Sequence, residues 1–175
     1  MDSFVQNQTQ FDHIIFQWLG DPLLHPELHL LVEMAVKGLT GQVNYLRIDT
    51  NAVRLDLNRA AHLVDSACGN GPPLLIVLSI DAASSGVYAT VKGQDRFDLV
   101  LKNTRALLRL RHSRGERCRL NIQAQFVVQE GNAHETTPFL AYWTDLLSCY
   151  GGSWHDEVLF KRLSVDGGAS GQAAA

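Results

Sequence analysis

The chain is short of the features that mark a secreted scaffold or a membrane protein. Its three cysteines, Cys68, Cys118 and Cys149, are odd in number and far apart, which argues against a disulfide framework and for the reducing cytoplasm. No apolar run approaches the roughly 20 residues that cross a bilayer, and the polar residues 1–8 lack the apolar segment of a signal peptide. A net charge of only −3 gives no general attraction to nucleic acid or to an anionic membrane. The one basic run, 105–117 with Arg109, Arg111, His112 and Arg114, falls at the end of an expected helix, where cations complement the dipole, and reads as a solvated helix end. There is no Gly-x-Ser-x-Gly elbow, no phosphate-binding P-loop and no Gly-x-Gly-x-x-Gly turn.

What is present is a folded composition, 46% apolar and 19% charged over 175 residues, enough for one domain with a core. Apolar periodicity alternates between two kinds of element. Residues 13–18, rich in β-branched and aromatic side chains, read as a strand that ends in Leu19-Gly20-Asp21-Pro22 and feeds a helix over 26–39. A second strand spans 43–49, and Asp56 is placed to cap a helix bearing Leu57, Ala60, Ala61 and Val64. Residues 74–80 are apolar on both faces, as in a buried parallel strand. A loop through Ser84, Ser85 and Gly86 leads to a helix from Phe97 to about His112. A strand at 120–128, a helix at 138–149 and a last strand at 158–163 complete the pattern. Five strands separated by four helices predict an α/β architecture with a parallel sheet in sequential order.

Polar residues collect where the strands should end. Asp21, Asp49-Thr50-Asn51 and Ser79-Ile80-Asp81 lie at predicted carboxyl ends, where α/β folds bind small molecules. Asn121, Gln123 and Gln125 share one face of the fourth strand, opposite Leu120, Ile122, Ala124 and Phe126. A barrel lumen that receives a polar ligand accounts for that row, as would an internal polar network or an edge strand with a wet face. His25-Pro26-Glu27-Leu28-His29 has the wrong order for a metallopeptidase helix, and a metal is not expected there.

These segments, in order, resemble the core of radical S-adenosylmethionine enzymes, the iron–sulfur oxidoreductases of the SPASM-type group. Gly20-Asp21-Pro22-Leu23-Leu24-His25-Pro26 is similar to the family's Gly-Gly-Glu-Pro strand end and its Leu-Leu-His-Pro continuation. Asp49-Thr50-Asn51-Ala52 is similar to its Thr-Asn-Gly turn. Leu78-Ser79-Ile80-Asp81-Ala82, with Tyr88, Val91-Lys92-Gly93, Phe97 and Asn103, resembles its Ser-Ile-Asp strand and the downstream spacing of Tyr, Gly, Phe and Asn. Gln125-Phe126-Val127-Val128, with Asn132 and Glu135, resembles the next strand and loop.

The resemblance implies a partial (β/α)6 TIM-like barrel over 13–165, here without its first β/α unit, after a lead-in at 1–12 and before a disordered Gly/Ala tail at 166–175. It implies S-adenosylmethionine and a 4Fe–4S cluster in the lumen, and a 5′-deoxyadenosyl radical that abstracts hydrogen from a peptide or small molecule. Gly20 and Asp21 would face the methionine amino group, Ser79 and Asp81 the ribose or carboxylate region, and Gln125 the adenosine or substrate, with Thr50 and Asn51 in the same cofactor-binding set. The family holds its cluster with Cys-x3-Cys-x2-Cys, which this chain does not contain, and Asp21 stands where glutamate is usual. The expectation is therefore a fragment or truncated form, inactive alone and binding only a small molecule. A non-catalytic binding or scaffold relative and a flavodoxin-like ligand-binding domain are the alternatives.

Overall fold

The computed structural model describes residues 10–17, 19–151 and 155–162; Trp18, the start of the lead-in and the expected tail lie outside them. Five strands form one sheet in the order β1-β2-β3-β4-β5: β1 (Phe11–Ile15), β2 (Val43–Thr50), β3 (Leu74–Ser79), β4 (Leu120–Val128) and β5 (Glu157–Arg162). Every neighbouring pair is parallel. The connections carry α1 (Leu28–Gly38), α2 (Leu57–Ser66), α3 (Ser85–Lys92), α4 (Phe97–Arg114) and α5 (Thr136–Cys149). Sequential order with crossovers of one hand keeps the helices on one side, and the sheet curls into a half-barrel, a partial TIM-like form.

Burial separates the two faces of the sheet. Leu46 and Ile48 of β2, Leu74, Ile76 and Leu78 of β3, and Leu120, Ile122, Ala124 and Phe126 of β4 are completely buried under the helices. Tyr45, Arg47 and Asp49, one residue out of step, are only half-buried on the concave face. At the β4–α5–β5 end the core is aromatic: Phe126 meets Phe139 edge-on at 4.8 Å, and both lie against Phe160.

Several boundaries depart from expectation for local reasons. The first strand is Phe11–Ile15 rather than 13–18, so the lead-in ends earlier, at residue 10. Pro22–Leu24 forms a separate 3-10 turn capped by Asp21, and α1 starts at Leu28 instead of Pro26. The segment expected as a loop after Ser84 is the helix α3, which makes five helices rather than four. Ser84 caps it and Gly93, at φ +68°, stops it. Its brevity and its β-branched Val87, Thr90 and Val91 hid it from the periodicity.

The basic run is not wholly solvated either. Arg114 is exposed and pairs with Asp65, whereas Arg111 is completely buried. Arg111 lies three and four residues beyond Leu108 and Leu107, so the helical period carries it onto the core face of α4. There it donates two bonds of 2.6 Å to Asp156 and one of 3.2 Å to the Leu120 carbonyl. Asp156 also accepts the Ile122 amide at 2.8 Å, fastening β5 to β4 at the amino end of the sheet. Replacing one member of such a pair strands the other charge. Asp156→Ala is expected to cost about 3–5 kcal/mol, read as a lower midpoint in urea unfolding followed by circular dichroism, whereas a surface change such as Lys102→Ala should cost less than about 0.5 kcal/mol.

Candidate functional site

The carboxyl ends of the strands are joined by side chains that bond to the backbone of a neighbouring loop. Asp21 accepts from the Leu23 amide at 2.9 Å, the Thr50 hydroxyl at 2.8 Å and the Asn51 amide at 2.8 Å, binding the β1–α1 turn to the end of β2. Asn103 of α4 donates to the Ala52 and Val53 carbonyls at 2.9 and 3.2 Å and holds the same turn from the other side. Ala52 takes up φ +61°, a conformation that favours glycine, with its methyl group fully buried.

A second set lies across β3 and β4. Asp81, itself at φ +61°, accepts the Val127 amide at 2.6 Å, the Ser79 hydroxyl at 3.1 Å and the Lys92 ammonium. Asn132 donates to the Asp81 and Val127 carbonyls at 2.9 and 3.0 Å. Glu135 accepts the Ala83 amide at 2.6 Å and the Ser84 amide and hydroxyl at the start of α3. Tyr88 is completely buried next to this set. Burial raises its hydroxyl pKa above the ordinary phenol value, and the Asp81 carboxylate adds to the rise.

The concave face carries the remaining polar groups in tiers set by strand register. Arg47, Leu75 and Asn121 form one; Asp49, Val77, Gln123 and Glu157 the next; Ser79, Gln125 and Leu159 the one nearest the carboxyl rim. Arg47 donates to both oxygens of Asp49 at 2.5 and 2.7 Å, and those hydrogen bonds raise its pKa above the ordinary guanidinium value. Gln123 donates its amide to Glu157. The side-chain carbonyl oxygens of Gln123 and Gln125 are buried and meet no donor among the described residues.

All seven expected site residues therefore lie at or near the carboxyl ends, but as two groups. Asp21, Thr50 and Asn51 are in direct contact, with exposed Gly20 at φ +84° making the bend into them. Ser79 and Asp81 are in contact, with Gln125 in register with Ser79. Three donors occupy most of the acceptor sites of Asp21, so its carboxylate is committed to the neighbouring loop. Asp49 caps no helix; it pairs with Arg47. Sequence reasoning missed Arg47, Lys92 and Glu157. The i,i+2 spacing of Arg47 and Asp49 on a strand was a readable signal, while Lys92 was hidden with α3. His29 stacks on His62 at 4.6 Å, and no group of three metal-ligating side chains occurs among the described residues.

Asp21 and Asn51 themselves line an open hollow of about 470 Å³, together with Val53, Arg54, Gln94 and Arg96. No helix among the described residues is long and apolar enough to cross a membrane. Comparison with protein-family models, with characterised proteins and with solved structures finds no match.

Removing the Asp21 carboxylate leaves two backbone amides and a hydroxyl without their acceptor. Asp21→Ala should lower stability by about 2–3 kcal/mol in urea unfolding and selectively speed hydrogen exchange at the Asn51 amide.

Proposed function

We propose that this chain is a radical-S-adenosylmethionine-type half-barrel, strands two to six of that architecture, and that its concave face binds the nucleoside part of S-adenosylmethionine. The observation that carries the reading is the pair of buried glutamine carbonyls, on Gln123 and Gln125, at the carboxyl half of a curled parallel sheet. A buried acceptor without a donor costs free energy, and the exocyclic amine of an adenine or the hydroxyls of a ribose would supply the missing hydrogens. Ser79 and the Asp81–Lys92 pair border the same tier and would meet the charged end of the ligand. The sequential strand order supports a barrel over the flavodoxin-like alternative, which needs a reversal of strand order at its binding crevice.

The described residues do not fit a 4Fe–4S cluster. Cys68 and Cys118 lie against each other before β3 and β4, at the amino end of the sheet, and Cys149 is exposed on the last turn of α5. No reaction step through a cluster is therefore assigned to this chain. Its own residues would bind and orient, which also accommodates a non-catalytic binding relative.

Titration with S-adenosylmethionine, followed by amide chemical shifts, tests the reading. Shifts should centre on Ser79, Gln123 and Gln125, adenosine should reproduce those at the two glutamines, and Gln125→Leu should weaken binding about tenfold, or 1.4 kcal/mol. With iron and sulfide added anaerobically, the chain alone should make no 5′-deoxyadenosine above a no-protein blank. Shifts confined to the hollow lined by Asp21, Asn51, Arg54 and Arg96, or none at millimolar ligand, would overturn the proposal.

A further inference from the structure

At the amino end of the sheet, two cysteines 50 positions apart in sequence are placed side by side. Cys68, just after α2, and Cys118, just before β4, face each other in an isolated antiparallel bridge. The flanking backbone bonds run from the Gly69 amide to the Arg117 carbonyl at 3.1 Å and from the Arg119 amide to the Ala67 carbonyl at 2.8 Å. Because those bonds join the residues on either side, the two cysteines are the non-hydrogen-bonded pair, the one in which side chains approach most closely, with Cα atoms about 4.5 Å apart. That spacing falls inside the range a disulfide spans without backbone movement. The thiols also point the same way: both are directed at the Val64 carbonyl oxygen, Cys68 at 3.2 Å and Cys118 at 3.7 Å.

Their surroundings differ in the manner of an attacking and a resolving thiol. Cys118 is 1% exposed, and burial, with the nearby Cys68 thiol adding to it, pushes its pKa up to about 12. Cys68 is half-buried and lines an open hollow with Arg114, Arg117 and Arg119, where Asp65 and Glu116 are the acidic neighbours. An accessible thiol near cations, poised next to a second cysteine, has the features of a redox-responsive pair.

We propose that Cys68 and Cys118 are a reversible dithiol–disulfide pair, oxidised by hydrogen peroxide to a link between the end of α2 and the start of β4. The Cys68 thiolate attacks one peroxide oxygen. The O–O bond breaks, and the leaving hydroxide takes up the proton lost by Cys68 as water. The sulfur of Cys118 then attacks the resulting sulfenic acid, the S–O bond breaks, and the second hydroxide leaves with the Cys118 proton. Two thiols lose two electrons, and the peroxide gains them as two waters.

The test treats the full chain with hydrogen peroxide, blocks remaining thiols by alkylation under denaturing conditions, and maps the digest by mass spectrometry. The expected product is a monomer lighter by about 2 Da, with the Cys68 peptide joined to the Cys118 peptide and dithiothreitol restoring both thiols. Of the three cysteines, only Cys149 should remain alkylatable, and Cys149→Ser should leave the link unchanged. The oxidised chain should melt roughly 5–10 °C higher than the reduced one, since the link closes a long loop in the unfolded chain. Cys68→Ser, a change at the half-exposed position, should abolish both the link and the shift. A Cys68 that advances to sulfinic acid while Cys118 stays alkylatable, a disulfide-linked dimer, or an oxidised chain that melts lower would each overturn the proposal.

Discussion

The half-barrel depends on how its loops are satisfied where the parallel strands stop. At the carboxyl end of each strand the ladder ceases, and amides and carbonyls that are buried under the next loop need partners from elsewhere. Here side chains supply them across loops: Asp21 to the Thr50-Asn51 turn, Asn103 to the Ala52-Val53 carbonyls, Asp81 to the Val127 amide, Asn132 back to the Asp81 carbonyl, and Glu135 to the start of α3. Each bond joins parts of the chain that no short connection joins. Bonds of charged groups to backbone amides are also the stronger kind, which suits them to fixing a rim.

This arrangement changes the meaning of the motif residues. Aspartates and amides at strand ends invite a ligand reading, because that is where α/β folds bind small molecules. In the structure most of their hydrogen-bonding capacity is committed within the protein, to backbone amides, hydroxyls and the Arg47 and Lys92 side chains, and the groups left over are lower in the lumen, on β4. A residue can hold the walls of a site without touching what the site holds. Asp21, with three internal donors, and Gln125, with a bare carbonyl, stand at the two ends of that distinction.

Much of this was legible from the residues alone. Period-two alternation in Asn121 to Phe126 separated the concave from the convex face of β4, and the double-sided apolar run marked β3 as a central strand. The capping role of Asp56 was also readable, since it accepts the Arg59 amide at 2.9 Å. What escaped was shorter than one period or longer than one element. The eight-residue α3 offers barely two helical turns to a periodicity. The burial of Arg111 follows from the phase of α4, but its partner Asp156 sits 45 residues away, and nothing local announces the pairing. The meeting of Cys68 with Cys118 is of the same kind, a contact between two crossovers that sequence spacing does not encode.

The two ends of the sheet are thus held by different means, and the difference bears on the lumen. The amino end is closed by a buried ion pair and by backbone bonds between crossovers, the carboxyl end by side-chain bonds between loops. Held from both ends, the central strands β2, β3 and β4 present their tiers in fixed register, so a ligand in the lumen would meet groups already in place and lose little free energy in ordering them. The outer strands each have one open edge. β1 adds an Asn44–Asp12 bond and the stacking of His13 on Tyr45 to its ladder, and β5 carries Glu157, Lys161 and Arg162. Charged residues on edge strands discourage further pairing without preventing it. Rigidity is therefore greatest in the middle of the half-barrel, where the glutamine side-chain oxygens that lack donors lie, and falls toward the two edges at which a closed barrel would continue.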